Sequence, residues 1–357
     1  MAAVNPGTAP GSSECISDNE GQVRLGTWNL SRWHSMRLAP IEATGVELMA
    51  LQETKLSLLP LEAAKALAST KGYTLHHGHP VPARTSGGHG DSCGVGVLAF
   101  PGVAVVVLLP QGAAWRMLHS MSRVHAVQVP PRPGLPLGLR VFSVYAPLRE
   151  NPARDAFDTA FGEMVAGLDL QAPTLLLGDF NGSVSPQRDY ASGAGDVCPL
   201  LTRLVGPAGP FLDLQLVVSP EEYAYTFRHS RGDEVRQSRC DLVLGSRSVL
   251  PLVKKVFVES GVFDGDGHFP IVVELSLKPH LGIPWYRPSP RLPQLLLLPS
   301  ASLRDSEQWW KLIDTWMTRD SSSVGHLLSA TSSTTASQLS SLLRSSPLCC
   351  MPVFRRW

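Results

Sequence analysis

Leu175-Leu176-Leu177-Gly178-Asp179-Phe180-Asn181-Gly182 is the stretch on which the reading of this chain turns. An apolar run of strand length ends in a glycine, and Asp179 and Asn181 follow with one residue between them. On extended backbone, residues two apart point to the same side. A carboxylate and an amide therefore leave the end of a buried strand together, in the loop position where chemistry concentrates. Such a pair could hold a hydroxide or grip a phosphate oxygen beside a metal. Gly-Asp-x-Asn also builds an ordinary Asx turn, so the stretch alone leaves both readings open.

Outward from this segment, short apolar runs recur. Strands are expected at Val23–Asn29, Val46–Glu53, Gly94–Ala99, Val103–Leu109, Val124–Val129, Leu139–Tyr145, Thr174–Asp179, Arg239–Leu244, Leu252–Val258 and Ile271–Leu275. Helices are expected at Leu59–Ser69, Asn151–Leu168 and Val197–Val205. In the second of these Asn151 can cap, Pro152 suits the first position, and Phe157, Phe161, Met164 and Leu168 recur at helical spacing. Many short strands with single inserted helices imply two packed sheets covered by helices. No Gly-x-Gly-x-x-Gly opens a helix, which argues against a dinucleotide fold.

Of the 357 residues, 43% are apolar and 17% charged, enough for a sizeable core. A net charge of +1 is low for a dedicated nucleic-acid binder, so any basic surface must be local. The six cysteines lack zinc-ligand spacing and read as reduced thiols of an intracellular protein. No secretory signal opens the chain. The most apolar stretch, Gly94 to Leu109, is broken at Pro101-Gly102, so no membrane insertion is expected. Residues 1–21 read as a disordered leader and 22–278 as one catalytic domain. Residues 279–357 read as a Pro/Leu-rich and then Ser-rich tail with a short Trp309-Trp310 helix. His76, His77, His79 and His89, interleaved with Gly, Pro and Ser, read as a mobile loop rather than a second metal site.

Polar residues stand at the ends of the expected strands. Asn29 closes Thr27-Trp28-Asn29, Glu53 closes Leu48-Met49-Ala50-Leu51-Gln52-Glu53, and Tyr145 closes Val141-Phe142-Ser143-Val144-Tyr145. Asp179 and Asn181 follow. Asp241 lies in Ser238-Arg239-Cys240-Asp241, and His268 precedes the last strand. In this order the segments resemble the exonuclease–endonuclease–phosphatase superfamily, over about Val23 to Leu277. The resemblance implies an α/β four-layer sandwich, two packed mixed sheets flanked by helices, and metal-dependent cleavage of phosphate esters with Mg2+ (or Mn2+) as cofactor.

It also implies roles. Glu53 and Asp266 would serve the metal, and Asn29 would ligate it through its side-chain carbonyl or bind phosphate. Asp179, with Asn181, would orient or deprotonate the attacking water, and Tyr145 would donate to the phosphate. His268 would contact the scissile phosphate while Asp241 fixes its tautomer. Family members commonly carry Asp directly before this His. Here Asp264-Gly265-Asp266-Gly267-His268 puts a glycine there and an Asp one residue earlier. A one-residue offset in extended backbone reverses side-chain direction, whereas a glycine-flanked loop can still bring Asp266 to the metal. Either Asp266 substitutes or the site is weakened.

Within the superfamily, Tyr225-Thr226-Phe227-Arg228 and Ser238-Arg239-Cys240-Asp241 resemble the endonuclease domains of non-LTR retrotransposons, as does Phe211-Leu212-Asp213-Leu214 more weakly. Arg228, Arg231 and Arg239 would then contact the phosphates of a polymer. The expected substrate is DNA, nicked on one strand, with nuclear localisation following from that function and no stable protein partner expected. The resemblance fits either a fragment of such an element or a separately encoded endonuclease. Two rivals stay open: a same-fold phosphatase or phosphodiesterase for phosphoinositide, sphingomyelin or RNA, and a decayed nucleic-acid-binding relic.

Overall fold

A computed structural model of the chain describes residues 21–277, apart from 82–92, 194, 232–233 and 263–266. The expected leader and tail, His89 and Asp266 lie outside the described residues.

One six-stranded sheet has the order Val253–Val258 (β13), Ile271–Ser276 (β15), Gln22–Asn29 (β1), Leu48–Gln52 (β2), Gly96–Ala99 (β4), Thr74–His77 (β3). The other runs Val106–Val107 (β5), Val124–Val129 (β6), Leu139–Tyr145 (β7), Thr174–Asp179 (β8), Asp241–Ser246 (β12), Phe211–Asp213 (β9). Each is mixed: β1 and β2 run parallel, as do β7 and β8, and the remaining pairs are antiparallel. A third, small sheet joins Glu234–Ser238 (β11), Phe227–Arg231 (β10) and Gly267–His268 (β14).

Three apolar cores define four layers. Leu25, Ala50, Val141, Leu175, Leu177 and Val243 meet between the two large sheets. On the outer face of the second sheet, Leu176 and Phe142 pack against Phe157 and Phe161 of the helix Arg154–Ala166 and against Trp115. Outside the first sheet, Met49, Leu51 and Leu98 cover Leu38, Ile41, Leu61 and Ala64 of two further helices. The leucine run is thus buried on both faces, as a central strand of a helix-covered sheet must be. Gly178 has φ +155°, and a Cβ there would collide with the Val144 carbonyl oxygen of the parallel neighbour β7.

Most expected strands form, with ends shifted by a residue or two. Val103–Leu109 shrinks to β5, because Val106 and Val107 are exposed at the sheet edge and only these two pair with β6. The Asn151 side chain does not cap the second helix; it accepts from the Ala153 backbone N–H in an Asx turn, and the helix starts at Arg154. His76 and His77, read as mobile loop, belong to β3, paired with β4. The hairpin of β10 and β11 was not expected; its strands carry exposed polar residues, so apolar alternation does not betray them.

Candidate active site

The site follows from a change of character along one face of the central strands. On the side facing the other sheet, β1 reads Leu25, Thr27, Asn29; β2 reads Leu48, Ala50, Gln52; β7 reads Val141, Ser143, Tyr145; β8 reads Leu175, Leu177, Asp179. Two-residue periodicity carries each strand from apolar core to a polar end. The parallel pairings bring these ends level, with Asn29 opposite Gln52 and Tyr145 opposite Asp179, while antiparallel β12 starts at Asp241, opposite Asp179. Beneath them lies a buried polar layer. Thr27 Oγ1 donates to Gln52 Oε1 at 3.0 Å, Gln52 Nε2 to Ser143 Oγ at 3.0 Å, and Ser143 Oγ to the Leu51 carbonyl at 2.8 Å. Satisfied networks of this kind favour one arrangement of the strands that carry them.

Asp179 is almost fully buried. It accepts from Asn29 Nδ2 at 2.9 Å and from the Asn181 backbone N–H at 2.9 Å. Asn181 adopts φ +43°, and its side-chain amide donates to the Ala146 carbonyl at 2.8 Å. The Asx turn therefore forms, and it fixes both the Asp179 carboxylate and the Asn181 side chain at the end of β8. Burial, then the neighbouring charge of Asp241, push the Asp179 carboxyl up to about 7, against the opposing pull of His268 and the two donors.

His268 enters from the third sheet, whose strand β14 pairs with β10 through Phe227. Its Nδ1 lies 2.8 Å from Asp241 Oδ2, and its Nε2 is 4.0 Å from Asp179 Oδ2. Burial works against charge on the imidazole, but Asp241, Asp179 and Glu53 outweigh it and raise His268 to about 9. The ring is thus a cation at neutral pH.

Glu53 follows the last residue of β2, holds φ +52°, and pairs with Lys55 Nζ at 2.8 Å. Lys55 is likewise at φ +54°. Strained backbone at non-glycine residues is kept where surrounding structure imposes it, and such positions cluster at functional sites. Tyr145 is buried, with the Arg123 guanidinium 5.0 Å from its ring centre.

Asn29 lies where expected, yet its carbonyl, the expected metal-facing end, accepts from the Ser31 backbone N–H at 2.8 Å. Its amide faces Asp179, so its visible work is to hold that carboxylate. Arg239, expected to contact substrate phosphates, is fully buried. It pairs with Asp213 at 2.6 Å and Asp189 at 3.5 Å, and donates to Gln215 at 2.8 Å. Two acceptors, Gln215 and Asp213, take its Nε and Nη2, Asp189 faces Nη1 as an ion pair, and no polymer can reach the buried group. Arg228 and Arg231 are exposed on β10, with Arg228 opposite Gly267. Gly267 itself holds φ +129°, a conformation unfavourable to the Asp common at this position.

Two residues of the site were missed. Arg154 is buried at the start of its helix and donates through Nη1 to the carbonyls of Pro147, Phe180 and Asn181. It ties the loop that follows β8 to the one that follows β7. No local pattern announces this, since a first-turn arginine is ordinarily solvated. Cys240 lies against Asp241 and His268; the Ser-Arg-x-Asp spacing could have drawn attention to it.

No protein-family model matches the chain, and no curated protein matches it. Solved structures do. The chain is 18% identical to an AP endonuclease from Leishmania major, covering 73% of this chain and 89% of that one at a TM-score of 0.57. It is 21% identical to a 3′-5′ exonuclease from Neisseria meningitidis, covering 71% and 100% at 0.54. It is 17% identical to the endonuclease domain of TRAS1, a telomere-specific non-LTR retrotransposon, covering 72% and 99% at 0.50. The chain shares the fold of these structures, the α/β sandwich that the resemblance implied.

Proposed function

We propose that this protein is a metal-dependent phosphodiesterase, and specifically a DNA endonuclease that nicks one strand and leaves a 3′ hydroxyl. The observation that carries the reading is the convergence of Asp179 and Asp241 on one imidazole, Asp241 Oδ2 2.8 Å from His268 Nδ1 and Asp179 Oδ2 4.0 Å from its Nε2. The similar structures, nucleases by their names, support the same class.

A hard divalent ion fits these residues. The donors are carboxylate oxygens, which suit Mg2+ or Mn2+, and a nearby cation would offset the burial and the Asp241 charge that together raise Asp179, leaving it ionised to accept a proton. Glu53 would hold the ion. Once bound, it supplies charge neutralisation on the phosphate oxygens. Asp179, aligned by Asn29 and Asn181, accepts the proton of the attacking water. His268 donates from Nε2 to a phosphate oxygen, and Asp241 keeps its Nδ1 protonated and the ring in place. Tyr145, beside Asp179 on the neighbouring strand, donates to the same phosphate.

Arg228, exposed on β10 opposite Gly267 and so next to His268, favours a polymer over a small headgroup, because it can reach a phosphate flanking the reacting one; Arg231 is exposed at the far end of the same strand. A nuclear site of action follows from a DNA substrate and belongs to the same proposal. Among the described residues no helix is long and apolar enough to cross a membrane.

Nicking of supercoiled plasmid tests this, with Mg2+, with EDTA, and with Asp179→Ala. The expected result is Mg2+-dependent nicking that the substitution abolishes. A folded wild type that leaves plasmid intact, or an Asp179→Ala protein of full activity, refutes it. The first outcome would turn attention to phosphoinositide and RNA substrates and to the relic reading that Gly267 motivates.

A further inference from the structure

The hydrolysis described above leaves Cys240 unused, although its thiol sits inside the site. Its Sγ is 3.6 Å from Asp241 Oδ2 and 3.9 Å from His268 Nδ1, and those two atoms are 2.8 Å apart. Ligand atoms of Asp179, Cys240, Asp241 and His268 all lie within 4.8 Å of one another. A tetrahedral Zn2+ with bonds of about 2.0–2.3 Å keeps its donors roughly 3.3–3.8 Å apart. The two sulfur distances are close to that range already. The short third one spans a hydrogen bond that opens slightly when an ion takes the place of its proton. A second observation points to a ligand: Asp241 Oδ1, in a residue only 2% exposed, has no hydrogen-bond partner.

The donor chemistry separates this cluster from the Glu53 side of the site. Carboxylate oxygens alone suit Mg2+, whereas a thiolate and an imidazole select Zn2+ over Mg2+. Cys240 is partly exposed, unlike Cys93 and Cys198, which are buried. Burial and the charges of Asp241 and Asp179 hold the Cys240 thiol well above its ordinary range, so an ion that binds there must displace its proton.

We infer that Cys240, Asp241 and His268 form a binding site for a thiophilic divalent cation, Zn2+, which enters between the catalytic carboxylate and imidazole and switches hydrolysis off. On binding, the S–H and Nδ1–H protons leave to solvent. Bonds form from the thiolate, the imidazole Nδ1 and an Asp241 oxygen, with Asp179 or a water in the fourth position. His268 then loses the hydrogen bond by which Asp241 holds it. The inhibitory consequence rests on the nuclease reading; the site does not.

The test uses metal ions alone as probes. Metal-free protein titrated with Co2+ should develop a thiolate-to-cobalt charge-transfer band and the visible bands of a four-coordinate ion, both displaced by Zn2+. Cys240→Val should lose the charge-transfer band and bind Zn2+ more than about tenfold more weakly, since even changes behind the ligands cost that much. Cys93→Ser and Cys198→Ser should keep it. A wild type without the band, or a band that survives in Cys240→Val, overturns the site. In plasmid nicking at fixed Mg2+, Cys240→Val should require at least tenfold more Zn2+ for half inhibition than wild type. Equal sensitivity overturns the switch. A protein that never nicks refutes the nuclease reading instead, and the cobalt spectra still decide the site.

Discussion

Replacing Asp241 by Asn leaves the shape of the site intact and removes one charge. Asp241 Oδ2 is 2.8 Å from His268 Nδ1, and His268, with its side chain 9% exposed, stands raised from 6.5 to about 9. That rise corresponds to on the order of 3 kcal/mol in favour of the charged ring. Burial pulls the other way, and Asp241 is the foremost of the three acids that overcome it. In Asp241→Asn the ring should therefore titrate at or below its ordinary 6.5. The imidazolium contributes stability fully below about 6.5, and this is lost as pH rises through about 9. The stability deficit of the variant should accordingly be greatest near pH 6 and vanish above pH 9. Above that pH the variant should be slightly the more stable, because the missing charge of Asp241 no longer pushes Asp179 upward. Proton NMR of the His268 ring in metal-free protein follows the first quantity, and urea unfolding across pH the second. Nicking at neutral pH should drop by roughly 10²–10⁴, the contribution of a positioned acid. A variant whose His268 still titrates near 9, or whose deficit is the same at every pH, refutes the reasoning.

Four further outcomes follow from the same geometry. Without divalent metal, wild-type stability should fall between pH 5 and 9, because ionising the buried Asp179 costs the folded state through about 7 while His268 loses its charge through about 9; Asp179→Asn should flatten the curve and be the more stable protein at pH 8 by calorimetry. Arg239→Leu should destabilise by about 3–5 kcal/mol in urea titration, since Asp213 and Asp189 lose the buried cation that pairs them. Arg228→Ala and Arg231→Ala should keep the fold and each reduce the salt dependence of DNA binding by about one phosphate contact; an unchanged slope would remove β10 from the DNA path. Gly267→Asp should cost about 1–3 kcal/mol, from the φ of +129° it must adopt, and give no gain in nicking; a marked gain would show that the loop relaxes to seat the carboxylate.

Much of the fold was open to reading in the primary structure because its central strands are buried on both faces. Continuous runs such as Leu175-Leu176-Leu177 announce themselves, and so do the polar residues that end them. The order of Asn29, Glu53, Tyr145, Asp179, Asp241 and His268 pointed to the superfamily fold before any geometry was known. The features that escaped are those whose signal is not local. The strands β10 and β11 carry mostly exposed polar residues, and their pairing depends on each other and on β14 rather than on an apolar pattern. His76 and His77 sit among residues typical of loops, yet pairing with β4 holds them in a strand.

The amino-acid sequence by itself thus determined which strands end in polar residues, since strand character and a terminal polar residue are properties of a few consecutive residues. Only the tertiary structure decided which charges face the candidate site. Arg228 lies on β10 and Arg239 in the link between β11 and β12, only eleven positions apart in sequence, but Arg239 turns inward onto Asp213 and Asp189 and Arg228 stays in solvent. Arg154 reaches three loop carbonyls through space, and Cys240 meets His268 from 28 positions away. Burial and partnership are set by the packing of distant segments, and a side chain's charge, reach and titration follow from that packing rather than from its neighbours in the chain.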